Sequence, residues 1–171
     1  MRMSSIIRRA ARPALISCVL LCATGVAMAQ DKVARGAYLV GILGCGDCHT
    51  AGAMAGKPDM TRRLGGSDVG WQVPGLGVFV GSNLTPDRQT GLGGWTDTEI
   101  VTALRTGVRP DGRQLAPVMP YMGYSQMNDA DAAAIVAYLR SLTPVSAGVP
   151  GPFGPGEKPT LPYFALTMPG T

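Results

Sequence analysis

The stretch Cys45-Gly46-Asp47-Cys48-His49 constrains this 171-residue chain more than any other feature, because it fixes two thiols and an imidazole within five positions. Residues three apart on a helical turn share a side, so both sulfurs can reach one planar group. C-x-x-C-H is the attachment signature of c-type haem. Two thioethers would capture the vinyl groups of one porphyrin, and His49 then falls beneath the ring as the proximal ligand to iron. The competing readings of a C-x-x-C pair are a redox dithiol and half of a zinc site. A dithiol oxidoreductase calls for a βαβ alternation that the pattern lacks. Zinc needs four ligands, and the remaining thiols, Cys18 and Cys22, sit in an apolar N-terminal segment.

That segment, residues 1–29, carries Arg2, Arg8, Arg9 and Arg12, then an apolar run from Leu15 to Val26, then Ala27-Met28-Ala29. The order is that of a secretory signal peptide cleaved after Ala29, and the run is short for a membrane span. Export to the periplasm, with no transmembrane anchor after cleavage, is the expectation. Leu15-Ile16-Ser17-Cys18 resembles a lipoprotein cleavage box, but cutting there would leave an apolar mature end. Of 15 Lys and Arg the leader holds four and none of the 11 Asp and Glu, so the mature chain balances eleven against eleven. The basic character resides in the leader. Nothing favours nucleic acid, and steering of a partner must come from local charge asymmetry. The two remaining mature cysteines are the haem thiols, so no disulfide framework is available.

A mature length near 140 residues suits one domain, expected over 30–144, with a Pro/Gly-rich tail over 145–171. The 24 Gly and 14 Pro predict long irregular connections among a few helices, an all-α class. The first helix is expected from Asp31 to Leu43, with Val33, Gly36, Ala37 and Val40 on one face and with Gly36 and Gly41 excused by close approach of another helix. A second follows Trp95, opened by a Thr96/Glu99 capping box and ended near Gly107. A third starts at Asn128 and repeats Ala132, Ile135, Val136 and Leu139 until Pro144. Tyr38 and Tyr138 are expected at the contact of first and last helices. The 45 residues between His49 and Trp95 are long for a connection, and a bulky ligand would explain them. Seven prolines from Pro144 to Pro169 read as an extended tail, with Tyr163 and Phe164 as its anchors.

His49 is the sole histidine, so two histidines from this chain cannot both ligate iron. Methionine is the leading sixth ligand, from among Met54, Met60, Met119, Met122, Met127 and Met168. Met119 is favoured over Met122, since Pro117 and Pro120 restrict the backbone around it. Trp95, Tyr121, Tyr124 and Asn83 offer polar handles for haem propionates, with core packing as the plainer alternative. Arg105, Arg109 and Arg113 read as solvated, or as meeting an acidic patch on a partner.

The order helix, C-x-x-C-H, long loop, methionine, final helix resembles a class I cytochrome c. Arg35-Gly36-Ala37-Tyr38-Leu39-Val40, Ser82-Asn83-Leu84-Thr85-Pro86-Asp87, Thr90-Gly91-Leu92-Gly93, Trp95, Pro117-Val118-Met119-Pro120-Tyr121 and Ala137-Tyr138-Leu139 resemble a single haem domain of the alcohol and gluconate dehydrogenase cytochrome c subunits. The resemblance runs from Val33 to Val145. It implies Cys45, Cys48, His49 and Met119 as binding residues for one covalent haem c, with His49 and Met119 on the metal. It also implies an electron carrier, not an enzyme, serving redox partner proteins: a dehydrogenase donor and a terminal oxidase or other cytochrome as acceptor. Those subunits string three haem domains together, whereas one is visible here. Two other classes compete: a tightly bound electron-transfer subunit of a periplasmic dehydrogenase, and a haem enzyme or sensor with a displaceable sixth ligand.

Overall fold

A computed structural model describes residues 30–170, so the proposed leader lies outside the described residues. Lys32–Thr171 form one compact unit. Five helices frame it: α1 over 30–42, α2 at Cys45–His49, α3 at Asp97–Thr106, α4 at Tyr121–Tyr124 and α5 at Asp129–Ser141.

The core forms where α1 crosses α5. Leu39 and Val40 of α1 pack with Ala134, Ile135, Val136, Tyr138 and Leu139 of α5, together with Leu64, Leu92 and Ile100. Gly36 sets the approach: a Cβ there would overlap the Ala134 carbonyl and press on Tyr138. Its helix-propensity cost, about 1 kcal/mol, is therefore offset by burial of a helix interface. Gly41 differs from the expectation, since nothing approaches it within 4 Å. Tyr138 is buried and accepts a hydrogen bond from Arg63, whereas Tyr38 lies exposed beneath the Arg35 guanidinium, 5.5 Å from its ring centre. The exposed link between α1 and α5 is instead Arg35 to Asp131, at 2.9 Å.

The caps stand where the sequence puts them. Thr96 and Glu99 bond reciprocally to open α3, Gly107 closes it in a left-handed conformation, and Asn128 accepts from the Asp131 N–H to open α5.

The all-α expectation needs correction, because a small three-stranded sheet is present. Strands β1 (Gly70–Val73) and β2 (Gly77–Val80) form an antiparallel hairpin, and β3 (Tyr163–Phe164) pairs parallel to β1. The physical signal was Trp71-Gln72-Val73 and Val78-Phe79-Val80 flanking Pro74-Gly75, a strand-turn-strand pattern obscured by surrounding glycines. Tyr163 and Phe164 do anchor the C-terminal segment, with the Phe164 ring 4.9 Å from that of Trp71. Phe153 adds a further bridge to Val78.

Candidate functional site

Helix α2 presents the motif as one short helical segment directly after the turn that ends α1. Cys45 and Cys48 are both unpaired and half-buried, and His49 is buried. Burial pushes the Cys45 thiol up to about 11, and burial together with Asp47 raises Cys48. Both sulfurs are therefore protonated at neutral pH, contrary to the thiolate that dithiol exchange requires. Among the described residues no group of three or more His, Cys, Asp and Glu side chains is placed to hold a metal ion.

His49 is arranged as a ligand. Burial lowers its pKa below the ordinary value, so the imidazole is neutral, and the Ser82 carbonyl only partly opposes that shift. Nδ1 lies 2.6 Å from the Ser82 oxygen. A neutral ring donating there keeps its proton on Nδ1 and leaves the Nε2 lone pair for a metal. The loop reaches that position because Gly81 has no side chain, since a Cβ would collide with the Cys48 carbonyl. The Gly66 N–H, donating to the His49 carbonyl at 2.9 Å, holds the backbone from the other side.

Met119 sits in the turn entering α4, its N–H bonded to the Ala116 carbonyl at 2.9 Å and its own carbonyl accepting from Tyr121. It is half-buried, as is Met54, whereas Met60, Met122 and Met168 are exposed and Met127 packs against the core. Its loop is braced by the Val108–Gln114 bridge and by Gln114 donating to the Thr106 carbonyl at 2.9 Å.

Of the handles expected for propionates, Asn83 is already committed: its amide bonds Thr85, Thr90 and the Val145 carbonyl. Tyr124 meets the Leu43 carbonyl at 3.5 Å, and the two motif cysteines raise its pKa only after burial has done so. The arginines are less solvated than expected. Arg105 bonds the Met127 carbonyl and Asp129, while the Arg109 guanidinium stacks 5.0 Å from the Trp95 ring centre. Arg88, Arg109 and Trp95, with Ser82, line a cavity of about 320 Å³ whose lining does not include Cys45, Cys48, His49 or Met119. Two arginines and an indole suit the acidic edge of a porphyrin. The paired thiols and the His49 Nε2 fit a covalently attached haem, and the cavity adjoins them through Ser82, whose carbonyl meets His49. The Ser82 carbonyl carried no signature in the sequence, because any residue supplies one. Arg109 was visible only as a charge.

The family described as Cytochrome c matches residues 33–143. Relatives include a nicotinate dehydrogenase subunit of Pseudomonas putida, 37% identical over 68% of this chain and 9% of that protein. The fructose dehydrogenase cytochrome subunit of Gluconobacter japonicus is 33% identical over 78% of the chain and 25% of its own length. The cytochrome c subunit of the quinone-type alcohol dehydrogenase of Gluconobacter oxydans is 34% identical over 71% and 25%. The chain thus spans a quarter or less of each. With the matched span running from α1 past the end of α5 and containing the Cys45–His49 motif, the chain belongs to the cytochrome c family, whose members carry covalently bound haem c.

Proposed function

We propose that this chain is an exported, periplasmic cytochrome with one haem c, which passes single electrons between a dehydrogenase-type donor and a respiratory acceptor. Residues 1–29 serve as its leader. Cys45 and Cys48 would tether the group, and the His49 nitrogen and the Met119 sulfur would hold its iron. Bound haem supplies a one-electron iron couple. The chain's own residues confine it to electron transfer, because His49 offers a neutral nitrogen oriented by the Ser82 carbonyl and Met119 offers a thioether from a braced turn, so neither axial position is left to a substrate. With a thioether and a neutral imidazole as its ligands, the iron would favour the less charged ferrous state.

The observation that carries this reading is the 2.6 Å contact with Ser82 made by Nδ1 of His49, on the same short helix as the two unpaired cysteines Cys45 and Cys48. The test is a pyridine haemochrome spectrum of protein expressed with a working maturation system. A two-thioether spectrum at one haem per chain is expected. Colourless protein, or pigment extracted by acidic acetone, refutes it.

A second reading, a permanently bound subunit of a periplasmic dehydrogenase, draws on the names of the relatives, which are dehydrogenase subunits. Native purification separates the two readings, a complex that survives moderate salt favouring the subunit.

A further inference from the structure

The segment after α5 lies beyond the span shared with the family, yet it binds the loop that holds His49. Val145 and Ala147 do this through backbone groups. The Val145 carbonyl accepts from Asn83 Nδ2 at 2.6 Å, the Val145 N–H donates to Thr85 Oγ1 at 3.0 Å, and the Ala147 N–H donates to Thr90 Oγ1 at 3.1 Å. Asn83 completes the knot. Its second amide hydrogen goes to Thr90 Oγ1 at 3.0 Å, and its oxygen accepts from the Thr85 N–H and hydroxyl at 2.9 and 2.7 Å. Asn83 and Thr85 are 1% and 0% exposed, so the bonds between these two are buried, while those to Thr90, Val145 and Ala147 are partly buried. Next in the chain before Asn83 is Ser82, the residue whose carbonyl orients His49.

The same segment presses on the other holder of His49. Val145 Cγ1 lies 3.0 Å from where a Cβ of Gly65 would stand, and Val149 fills the space a Cβ of Gly66 would need. Gly66 is the donor to the His49 carbonyl. Both the ring and the backbone of His49 are thus gripped by loops that residues 145–149 tie together.

We propose that residues 145–149 form a strap on the His49 side of the haem, and that Asn83 and Thr85 are positioning residues that transmit its hold to the Ser82 carbonyl and so set the reduction potential. The proposal rests on His49 being an axial ligand. A firm Nδ1–H to carbonyl bond makes the imidazole a stronger donor and favours ferric iron. Loosening it raises the potential.

The experiment uses the full-length, haem-loaded protein and its variants Asn83→Ala, Thr85→Val and Thr85→Ser. Pyridine haemochrome and the far-red ferric band of thioether-to-iron ligation first report attachment and axial ligands. Spectroelectrochemical titration and the NMR resonance of the His49 Nδ1 proton in the ferrous state then test the strap. Asn83→Ala and Thr85→Val are expected to retain haem and the far-red band, to raise the ferrous-to-ferric ratio at fixed poise roughly fivefold, and to shift the Nδ1 proton upfield as its bond weakens. Thr85→Ser keeps the hydroxyl and should match the parent. If Asn83→Ala does not accumulate, Thr85→Val carries the same expectation. Unchanged potential and proton resonance alongside a lowered melting temperature would overturn the proposal, reducing the strap to a stability clamp. A parent protein lacking haem, or lacking a histidine signature, would instead sink the ligand reading and the strap with it.

Discussion

At His49 two influences oppose each other: burial lowers its pKa and keeps the ring neutral, and the Ser82 carbonyl, 2.6 Å from Nδ1, fixes where the remaining proton sits. The second ligand proposed is Met119, which exposure separates from Met60, Met122 and Met168 but not from the equally half-buried Met54. Met119→Ala should abolish the far-red ferric band and lower the potential while leaving the haemochrome spectrum intact, because the thioether tethers are on α2. Met122→Ala, three residues away but 68% exposed, should leave both unchanged. Persistence of the band in Met119→Ala would reassign the ligand. The motif residues were legible because their identity and spacing carry the chemistry. Ser82 was not, since it acts through its backbone, nor was Leu64, which is fully buried at φ 62, a left-handed conformation uncommon for a branched side chain.

Among the elements, the helices followed from local rules and the sheet did not. Caps at Thr96 and Asn128 and the apolar repeats of α3 and α5 are short-range signals, whereas β3 pairs with β1 across about ninety residues and is only two residues long. Glycines separate the same way. At Gly36 the steric overlap with α5 outweighs the propensity gain, so Gly36→Ala is expected to cost about 1–3 kcal/mol. At Gly41 nothing intervenes, and Gly41→Ala should stabilise by about 0.5–1 kcal/mol. Denaturant midpoints of the two variants, moving in opposite directions, check both. The capping box of α3 gives a pH-dependent case. Thr96 bonds hold the Glu99 carboxyl below its ordinary value of 4.5, so the ionised form is favoured in the folded chain. That contribution is present in full above the ordinary value and fades as pH falls through the lower folded one. The stability difference between the parent and Glu99→Gln should therefore shrink below about pH 4.5 and not above it. Thr96→Ala, which removes the cap outright, should cost about 1 kcal/mol at neutral pH.

For the whole molecule, the decisive quantity is charge. With residues 1–29 removed, as proposed above, their four arginines leave too and the chain carries eleven basic and eleven acidic side chains, so no net field draws a distant partner. Within the fold several arginines are internally engaged: Arg35 with Asp131, Arg105 with Asp129 and Arg140 with Asp97. An electron carrier that must release after each transfer needs a small, weak interface, below about 1,200 Å² in total. The two properties together predict slow growth of the association rate as salt is lowered, less than about tenfold between 200 and 20 mM, in stopped-flow reduction by a dehydrogenase-type donor. A steeper dependence would mean that a local cluster steers the encounter, and Arg109 and Arg113, which share the single carboxylate of Asp111, together with Arg88, which lines the same cavity as Arg109, are where charge-removing substitutions should then flatten it. Rates independent of protein concentration would instead place donor and cytochrome in one lasting complex, as a bound subunit requires.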